Sequence, residues 1–249
     1  YGDDFTGSTD ALEVLAFAGM QTALLLQPPT PEVLAHFPPL DAVGVAGDSR
    51  AMTPAEMDAH LPPVFEALAQ CGAPIVHYKV CSTFDSAPGI GSIGRTMEIA
   101  RRIFRNRFIP VVGSTPALQR YCLFGHLFAR AGTDGRIYRI DRHPIMSVHP
   151  VTPAEDSDLL VHLGRQTALP IARLEFPAIE SGLACAITAL EAVLASAPAA
   201  SPQAVLIDSA SEAQLTTVGG LLERLAAQEA PLFTVGPSGV EYALTQWWR

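Results

Sequence analysis

Seven short apolar runs alternate with segments of helical spacing along this 249-residue chain, and this alternation constrains the fold more than any other sequence feature. The apolar residues of these runs are mostly consecutive, as in AVGVAG at 42–47 and FIPVVG at 108–113, whereas a strand with one face in water alternates apolar and polar residues. Continuously apolar strands separated by helices are typical of a parallel sheet covered on both faces. The sequence therefore predicts an α/β, Rossmann-like fold with a mostly parallel sheet and helices on both faces, in one domain over residues 1–249. The predicted strands are 22–27, 42–47, 74–80, 108–113, 171–176, 204–208 and 232–236.

The segments between these strands carry helix signals, with one exception. Residues 53–72 begin with the Thr-Pro-x-Glu pattern of a capped helix, and they contain Pro62 and Pro63, which we expect to kink or split the helix. Residues 114–153 are rich in Arg, His, Pro and Gly and show no clean helical spacing, so we interpret them as an irregular insertion. The other predicted helices follow the loop 2–9 and lie at 92–104, 154–167, 178–196, 211–228 and from about residue 238.

Polar residues and glycines follow the predicted strands. In open α/β sheets, ligands bind beyond the carboxyl ends of the strands. We therefore expect these residues to share one edge of the sheet and to include the binding site. They are Asp3, Asp4, Asp48, Lys79, Gly113, Asp208 and Gly236.

Lys79 is the only lysine of the chain, and the other fifteen of its sixteen basic side chains are arginine. An ammonium group is a compact point charge and a guanidinium is a planar fork, so a tight anion site can distinguish them. A lysine that directly follows an apolar strand in such a chain is a candidate anion ligand. The alternative is one lysine kept by chance at a strand end.

The motif GIGSIG, residues 89–94, matches the GxGxxG pattern of dinucleotide-binding loops. It follows its strand by several residues, and no acidic residue lies about 20 positions further on to bind a ribose. Backbone amides around Gly91 and Ser92 at a helix N-terminus can still bind a carboxylate or a phosphate. A glycine-rich turn that only allows close helix packing is the structural alternative.

Charge and composition exclude several classes. A net charge of −9 argues against a nucleic-acid partner, and no apolar run approaches the length of a membrane span. The four cysteines are widely spaced, which favours reduced thiols in a cytoplasmic protein. His143 and His149 are poorly spaced for zinc, so we predict no metal site. His149 is a candidate substrate contact, and the alternative is that both are hydrogen-bonded loop histidines. The chain begins on YGDDFTG without a methionine, and we expect a further strand before it.

Four stretches in the same order resemble the N-terminal domain of the four-carbon acid sugar kinase family. They are GDDFTGSTD, YKVCSTFDSAPGIGSIG, HPVTPAEDSDLLVHLGRQT, and LIDSASEAQL with VGPSGVEYAL. The resemblance covers essentially the whole chain, and its most specific parts are the DD-x-TG loop and the HP-x-TP segment. It implies an ATP-dependent kinase that phosphorylates the terminal hydroxyl of threonate, erythronate or a 3-oxo-tetronate. It also implies that Mg²⁺ and most of the nucleotide are bound by a separate C-terminal domain, which this chain lacks.

The resemblance also assigns roles to residues. Asp3 or Asp4 would be the base for the substrate hydroxyl, and the residues around them would shape the pocket. Lys79 would meet the substrate carboxylate or hydroxyls. The other substrate-binding candidates are Thr6, Gly7, Ser8, Ser82, Thr83, Gly91, Ser92, Arg120 and His149.

One loop departs from the family pattern. Many members read D-S-T-L-R-G after this lysine, whereas residues 81–86 here read CSTFDS. Arg120 or Arg142 is the candidate replacement for the missing cation. A catalytically silent domain that binds a small carboxylate is the main alternative function, and an NAD-dependent oxidoreductase rests on GIGSIG alone. The sequence leaves the oligomeric state open, including a homo-oligomer.

Overall fold

A central parallel sheet organises the chain in a computed structural model that describes residues 1–132, 135–196 and 202–249. Five strands form it in the order β3-β10-β4-β9-β8, and β1 and β2 form a separate parallel pair. The strands are β1 Thr22–Leu25, β2 Ala42–Val45, β3 Ile75–Lys79, β4 Ile109–Val112, β5 Arg120–Leu123, β6 His126–Arg130, β7 Ile137–Arg139, β8 Ile171–Leu174, β9 Ala204–Ile207 and β10 Leu232–Gly236. The helices are α1 Phe5–Phe17, α2 Pro31–Leu34, α3 Pro54–Gln70, α4 Ile93–Ile103, α5 Leu159–Gly164, α6 Phe176–Glu180, α7 Leu183–Ala195, α8 Glu212–Glu229 and α9 Gly239–Trp248.

The first residues of the chain connect the two parallel sheets. Gly2 forms parallel bridges to both Ala46 and Lys79, which follow or end β2 and β3. Its backbone nitrogen donates to the Val45 carbonyl at 3.1 Å, and the nitrogen of Asp3 donates to the Lys79 carbonyl at 2.9 Å. This pairing places Asp3 and Asp4 at the carboxyl edge of the sheet.

Two apolar clusters cover the two faces of the sheet. One contains residues of α3 and α4 with Val111 and Leu206, and the other contains residues of α7, α8 and α9 with Val112 and Ile207. Neighbouring residues of one strand thus belong to opposite cores, which explains why β4 and β9 are apolar throughout. The predicted α/β fold with helices on both faces is confirmed.

The segment 114–153 is more regular than expected. Strands β5, β6 and β7 form an antiparallel three-stranded sheet, which we call the meander, followed by two short 3-10 turns. The turn between β5 and β6 places Phe124 and Gly125 at φ of 52° and 81°. Two consecutive left-handed residues are typical of a tight hairpin turn. Residues 133–134 of this segment lie outside the described residues.

Two helices differ from their predicted forms. Helix α3 remains one helix through Pro62 and Pro63, because Leu61, Val64 and Phe65 are buried in the core and their packing outweighs the lost hydrogen bonds. The predicted helix 178–196 is instead two helices, α6 and α7, which separate at Gly182 with φ of 93°.

The predicted helix 154–167 begins only at Leu159. The residues before it pair with the meander, where the nitrogen of Leu127 donates to the Ser157 carbonyl at 2.8 Å. Asp158 caps the helix by accepting from the nitrogen of Leu160 at 2.8 Å. Among the described residues, no helix has both the length and the apolar character that crossing a membrane requires.

Candidate functional site

Arg50 binds the two acidic residues of the DD-x-TG loop. It lies in a 3-10 turn just after β2, and its Nε and Nη2 donate to Oδ2 and Oδ1 of Asp3 at 3.1 and 2.6 Å. Its Nη1 donates to Oδ2 of Asp4 at 2.7 Å, while Oδ1 of Asp4 caps α1 by accepting from the nitrogen of Gly7 at 2.7 Å. We call Asp3, Asp4 and Arg50 the Arg50 group.

Asp3 is buried to 1% relative exposure. Burial raises the pKa of this carboxyl to about 6, although the hydrogen bonds and the charge of Arg50 act in the opposite direction. A planar guanidinium matches a carboxylate with two parallel hydrogen bonds, which fixes both side chains. The Arg50 group is therefore a rigid part of the site.

A cavity of about 380 Å³ lies beside the Arg50 group at the carboxyl edge of the sheet. Its size suits a small organic acid, and it is lined by both charged and apolar side chains. Residues from the loop after β3 and from the segment after the meander complete it. The lining consists of Asp3, Asp4, Phe5, Gly47, Asp48, Arg50, Ala51, Asp85, Ile90, His149, Val151 and Thr152.

A second polar cluster, Asp85, His149 and Thr152, lines the same cavity, and we call it the Asp85 group. The hydroxyl of Thr152 donates to Oδ1 of Asp85, and the backbone nitrogen of Thr152 donates to Nδ1 of His149 at 3.1 Å. Oδ1 of Asp85 lies 3.8 Å from the same ring nitrogen. Burial raises the pKa of Asp85, while the charges of His149 and Arg50 act in the opposite direction.

Backbone strain at Phe84 positions Asp85. Phe84 is buried, with a relative exposure of 1%, and has φ of 53°, a conformation that a bulky residue rarely adopts. Its nitrogen donates to the Cys81 carbonyl at 2.9 Å, and its own carbonyl accepts from the Ser86 hydroxyl at 2.9 Å. Nε2 of His162 lies 3.0 Å from the same carbonyl. These contacts fix the kinked conformation of the loop, and the kink places Asp85 in the lining of the cavity.

Lys79 lies close to the site but outside the cavity lining. Its side chain is buried, and Nζ lies 3.2 Å from Oδ2 of Asp10 and donates to the Val80 carbonyl at 3.1 Å. A Cβ added at Gly7 would lie 3.0 Å from this nitrogen. The ammonium therefore has a carboxylate partner within the chain, beneath the first turn of α1. Its contact with a substrate stays a prediction.

The other predicted residues also lie outside the cavity lining. Thr6 is exposed on α1, and the Ser8 hydroxyl donates to the Asp4 carbonyl at 2.7 Å. Ser82 and Thr83 are half-buried in the loop after β3. Nη1 of Arg120 donates to the Leu118 and Gln119 carbonyls at 2.8 and 3.3 Å. The cavity thus brings together only Asp3, Asp4 and His149 of the predicted set.

The glycines of GIGSIG allow close backbone approach. Gly91 has φ of 58°, and a Cβ added there would lie 2.5 Å from the Arg50 carbonyl. A Cβ at Gly94 would lie 2.6 Å from Gln166. The hydroxyl of Ser92 caps α4 by accepting from the nitrogen of Arg95 at 3.0 Å. The motif packs the turn of Arg50 against the start of α4.

Arg50, Asp85 and Thr152 are site residues that the sequence analysis did not identify as such. Arg50 comes two residues after Asp48, which follows a predicted strand, and this position is the sequence signal for its role. Asp85 lies in the loop that departs from the family pattern, and Thr152 lies in the HP-x-TP segment. Among the described residues, no group of three or more His, Cys, Asp and Glu side chains is arranged to bind a metal ion.

The chain is similar to a family model, to curated relatives and to solved structures. The model of a family described as a sugar-binding N-terminal domain matches residues 1–244. A 3-oxo-isoapionate kinase of Paraburkholderia graminis is 47% identical over 249 residues, which are 100% of this chain and 51% of that protein. A 3-oxo-tetronate kinase of Pseudomonas fluorescens is 30% identical over 99% of this chain and 53% of that protein. The chain therefore spans about half the length of these relatives.

Solved structures share the fold. A Haemophilus influenzae protein aligns with a TM-score of 0.82 and 20% identity, over 99% of this chain and 55% of that one. A Bordetella bronchiseptica domain of unknown function, solved with bound citrate as a domain-swapped dimer, aligns with a TM-score of 0.73 and 21% identity, over 99% and 56%. The family match and the relatives confirm the resemblance drawn from the sequence. The chain belongs to the family of sugar-binding N-terminal domains.

Proposed function

We propose that this chain is the sugar-acid-binding part of an ATP-dependent kinase that phosphorylates a hydroxyl of a small sugar acid. The substrate class is a four-carbon acid such as threonate, erythronate or 3-oxo-tetronate, or a related 3-oxo acid such as the 3-oxo-isoapionate named in one relative. The observation that carries the proposal is the cavity of about 380 Å³ at the carboxyl edge of the sheet, with the Arg50 and Asp85 groups in its lining.

The polar lining fits a polyhydroxy compound. Carboxylate oxygens accept hydrogen bonds from hydroxyl groups, and His149 and Arg50 supply donors. The four aspartates of the lining outnumber its single arginine, so the hydroxylated part of the substrate is favoured here over its carboxylate. They are Asp3, Asp4, Asp48 and Asp85. We also propose, from the sequence, that Lys79 and Arg120 contact the carboxylate of the substrate.

Chemistry in such a kinase consists mainly of positioning and charge neutralisation. ATP with Mg²⁺ supplies the phosphoryl group and neutralises the charge that develops on it. This chain binds the acceptor and orients its hydroxyl, and Asp3 or Asp4 is the proposed base. Most of the nucleotide contacts belong to the part of the relatives that this chain does not span.

Binding to the chain itself tests the proposal. We expect threonate, erythronate or a 3-oxo acid to raise the unfolding temperature, since a ligand at a hundredfold excess over its Kd adds about 2.7 kcal/mol of stability. Succinate, which has the same number of carbons and no hydroxyl group, is the control ligand. No stabilisation by any acid of the panel would contradict the proposal.

A catalytically silent domain that binds a small carboxylate is the second candidate, and the Bordetella neighbour, a domain of unknown function solved with bound citrate, motivates it. The two candidates differ in turnover. A protein that contains this chain together with a kinase half like that of the relatives should consume ATP only in the presence of a sugar acid. Binding without ATP consumption would favour the silent domain.

Partners and location follow from the same proposal. We propose a cytoplasmic protein, because all four cysteines are free thiols and such thiols persist in reducing compartments. A homo-oligomer is proposed on the example of the domain-swapped neighbour. Light scattering of the purified chain measures the oligomeric state directly.

A further inference from the structure

The Asp85 group leaves one acceptor and one donor available. Oδ1 of Asp85 accepts from the Thr152 hydroxyl, and no hydrogen bond to Oδ2 is found among the described residues. Nδ1 of His149 accepts from the nitrogen of Thr152, so in the neutral ring the proton is on Nε2. This Nε2 also has no hydrogen-bond partner within the part of the chain that the structure describes.

The two available atoms belong to a preorganised unit. Thr152 is buried to 5% relative exposure and contacts both neighbours. Its hydroxyl donates to Asp85 and lies 2.9 Å from Nδ1 of His149, and its nitrogen donates to the same ring nitrogen. The loop before Asp85 is held by the hydrogen bonds to the Phe84 carbonyl described above. Side chains fixed in this way lose little conformational entropy when a ligand binds.

Asp85 offers an acceptor and His149 a donor in the lining of one cavity, and a hydroxyl group, which donates one hydrogen bond and accepts another, matches both. A carboxylate cannot donate, and it would be repelled by Asp85. An acid that lacks the hydroxyl leaves both partially buried groups unpaired, and this cost makes such a site selective.

We propose that Asp85 and His149 form a hydroxyl-recognition pair, ordered by Thr152, which selects polyhydroxy acids over acids of the same size that lack one hydroxyl group. This inference rests on the proposed function, because it requires a sugar acid in the cavity. It adds the residues that recognise the substrate, Asp85 and His149, and the chemical group that they recognise, a hydroxyl.

Isothermal titration of the chain with matched ligands tests the pair. The ligands are threonate, its 3-deoxy and 4-deoxy analogues, and succinate. We expect one deoxy analogue to bind the wild-type chain about ten- to a hundredfold more weakly than threonate, as for one lost hydrogen bond to a charged group. In Asp85→Asn and His149→Gln this ratio should fall below about threefold, which is a loss of discrimination rather than only of affinity.

Two further variants make the result specific. Glu155→Gln removes an exposed carboxylate of the same segment, outside the cavity lining, and should keep the wild-type ratio. Thr152→Val removes the hydroxyl that connects the pair and should also reduce the ratio, so it serves if Asp85→Asn does not fold. Full discrimination in folded Asp85→Asn and Thr152→Val would overturn the inference and leave the proposed function intact. Failure of every acid to bind the wild-type chain would overturn both.

Discussion

Arg50 and Asp3 are joined by two hydrogen bonds, from Nε to Oδ2 at 3.1 Å and from Nη2 to Oδ1 at 2.6 Å, although they are 47 residues apart along the chain. The side chain of Asp3 is 2% exposed and that of Arg50 is 23% exposed. The pair therefore attaches the turn after β2 to the start of α1, and it holds one side of the cavity in place.

Removal of the Arg50 charge should destabilise the fold as well as weaken binding. In Arg50→Gln the Asp3 carboxylate remains buried without its cation, and breaking such a pair costs on the order of 3 kcal/mol. Guanidinium-induced unfolding at pH 8 measures this loss. The double variant Arg50→Gln with Asp3→Asn removes both charges and should recover part of the stability. A double variant no more stable than Arg50→Gln alone would contradict the explanation.

Asp3 should make the stability of the chain depend on pH. Its pKa is raised from 3.8 to about 6 in the folded state, so the folded chain binds the proton more tightly than the unfolded chain. The associated stability is present below about pH 4 and is lost as the pH rises through 6, a change of roughly 3 kcal/mol. The difference in unfolding free energy between wild type and Asp3→Asn should therefore decrease over this interval. A constant difference from pH 4 to pH 7 would show that Arg50 offsets the burial of Asp3 completely.

Gly7 should be a glycine that alanine cannot replace, although it lies within a helix. Alanine normally stabilises a helix interior by up to about 1 kcal/mol relative to glycine. A Cβ at Gly7 would lie 2.5 Å from Oδ1 of Asp4, the atom that caps α1, and close to Lys79. We expect Gly7→Ala to lose about 1 to 2 kcal/mol through the broken cap. Gly164→Ala in α5, where a Cβ meets open space, is the matched control and should be neutral or stabilising in the same thermal melts.

The strands and their common edge could be predicted because a strand buried on both faces consists of consecutive apolar residues, which are visible in the sequence. Val111 and Val112 are both buried, one toward each helix layer, and that continuous pattern indicates a covered parallel sheet. The ends of the strands then follow from the direction of the chain. Asp3 and Asp4 lie at this edge as well, because the first residues pair with the end of β3.

The partners of these residues could not be predicted, because they depend on contacts between distant segments. Its position two residues after Asp48 is the one local feature of Arg50, and its pairing with Asp3 forms only when the turn after β2 meets the first residues. Thr152 and Asp85 are 67 residues apart and meet through the folded meander. The meander was missed because its turn contains Phe124 in a left-handed conformation that is usually occupied by Asn or Gly.

Asp208 should be important for attaching the meander to the sheet. Its Oδ1 accepts from the nitrogen of Gly125 at 3.0 Å and from the Cys122 thiol at 3.3 Å, and it is fully buried. Asp208→Ala leaves the Gly125 nitrogen without an acceptor, and we expect a loss of about 2 to 3 kcal/mol in chemical unfolding. Glu175→Ala removes a nearby exposed carboxylate, and its effect should stay within about 0.5 kcal/mol. Equal effects of the two substitutions would contradict this role.

The attachment of the meander also has a consequence for how ligand preference can change over evolution. His149 and Thr152 follow the meander in the chain, whereas the Arg50 group lies where the first residues join the β1–β2 pair to the central sheet. These two parts of the cavity lining are therefore carried by separate parts of the fold. A substitution in the hairpin turn at Phe124 or Gly125 can therefore shift one side relative to the other while every lining residue is kept. We therefore expect the size of the acid that this chain accepts to depend on that turn as well as on the residues that line the cavity.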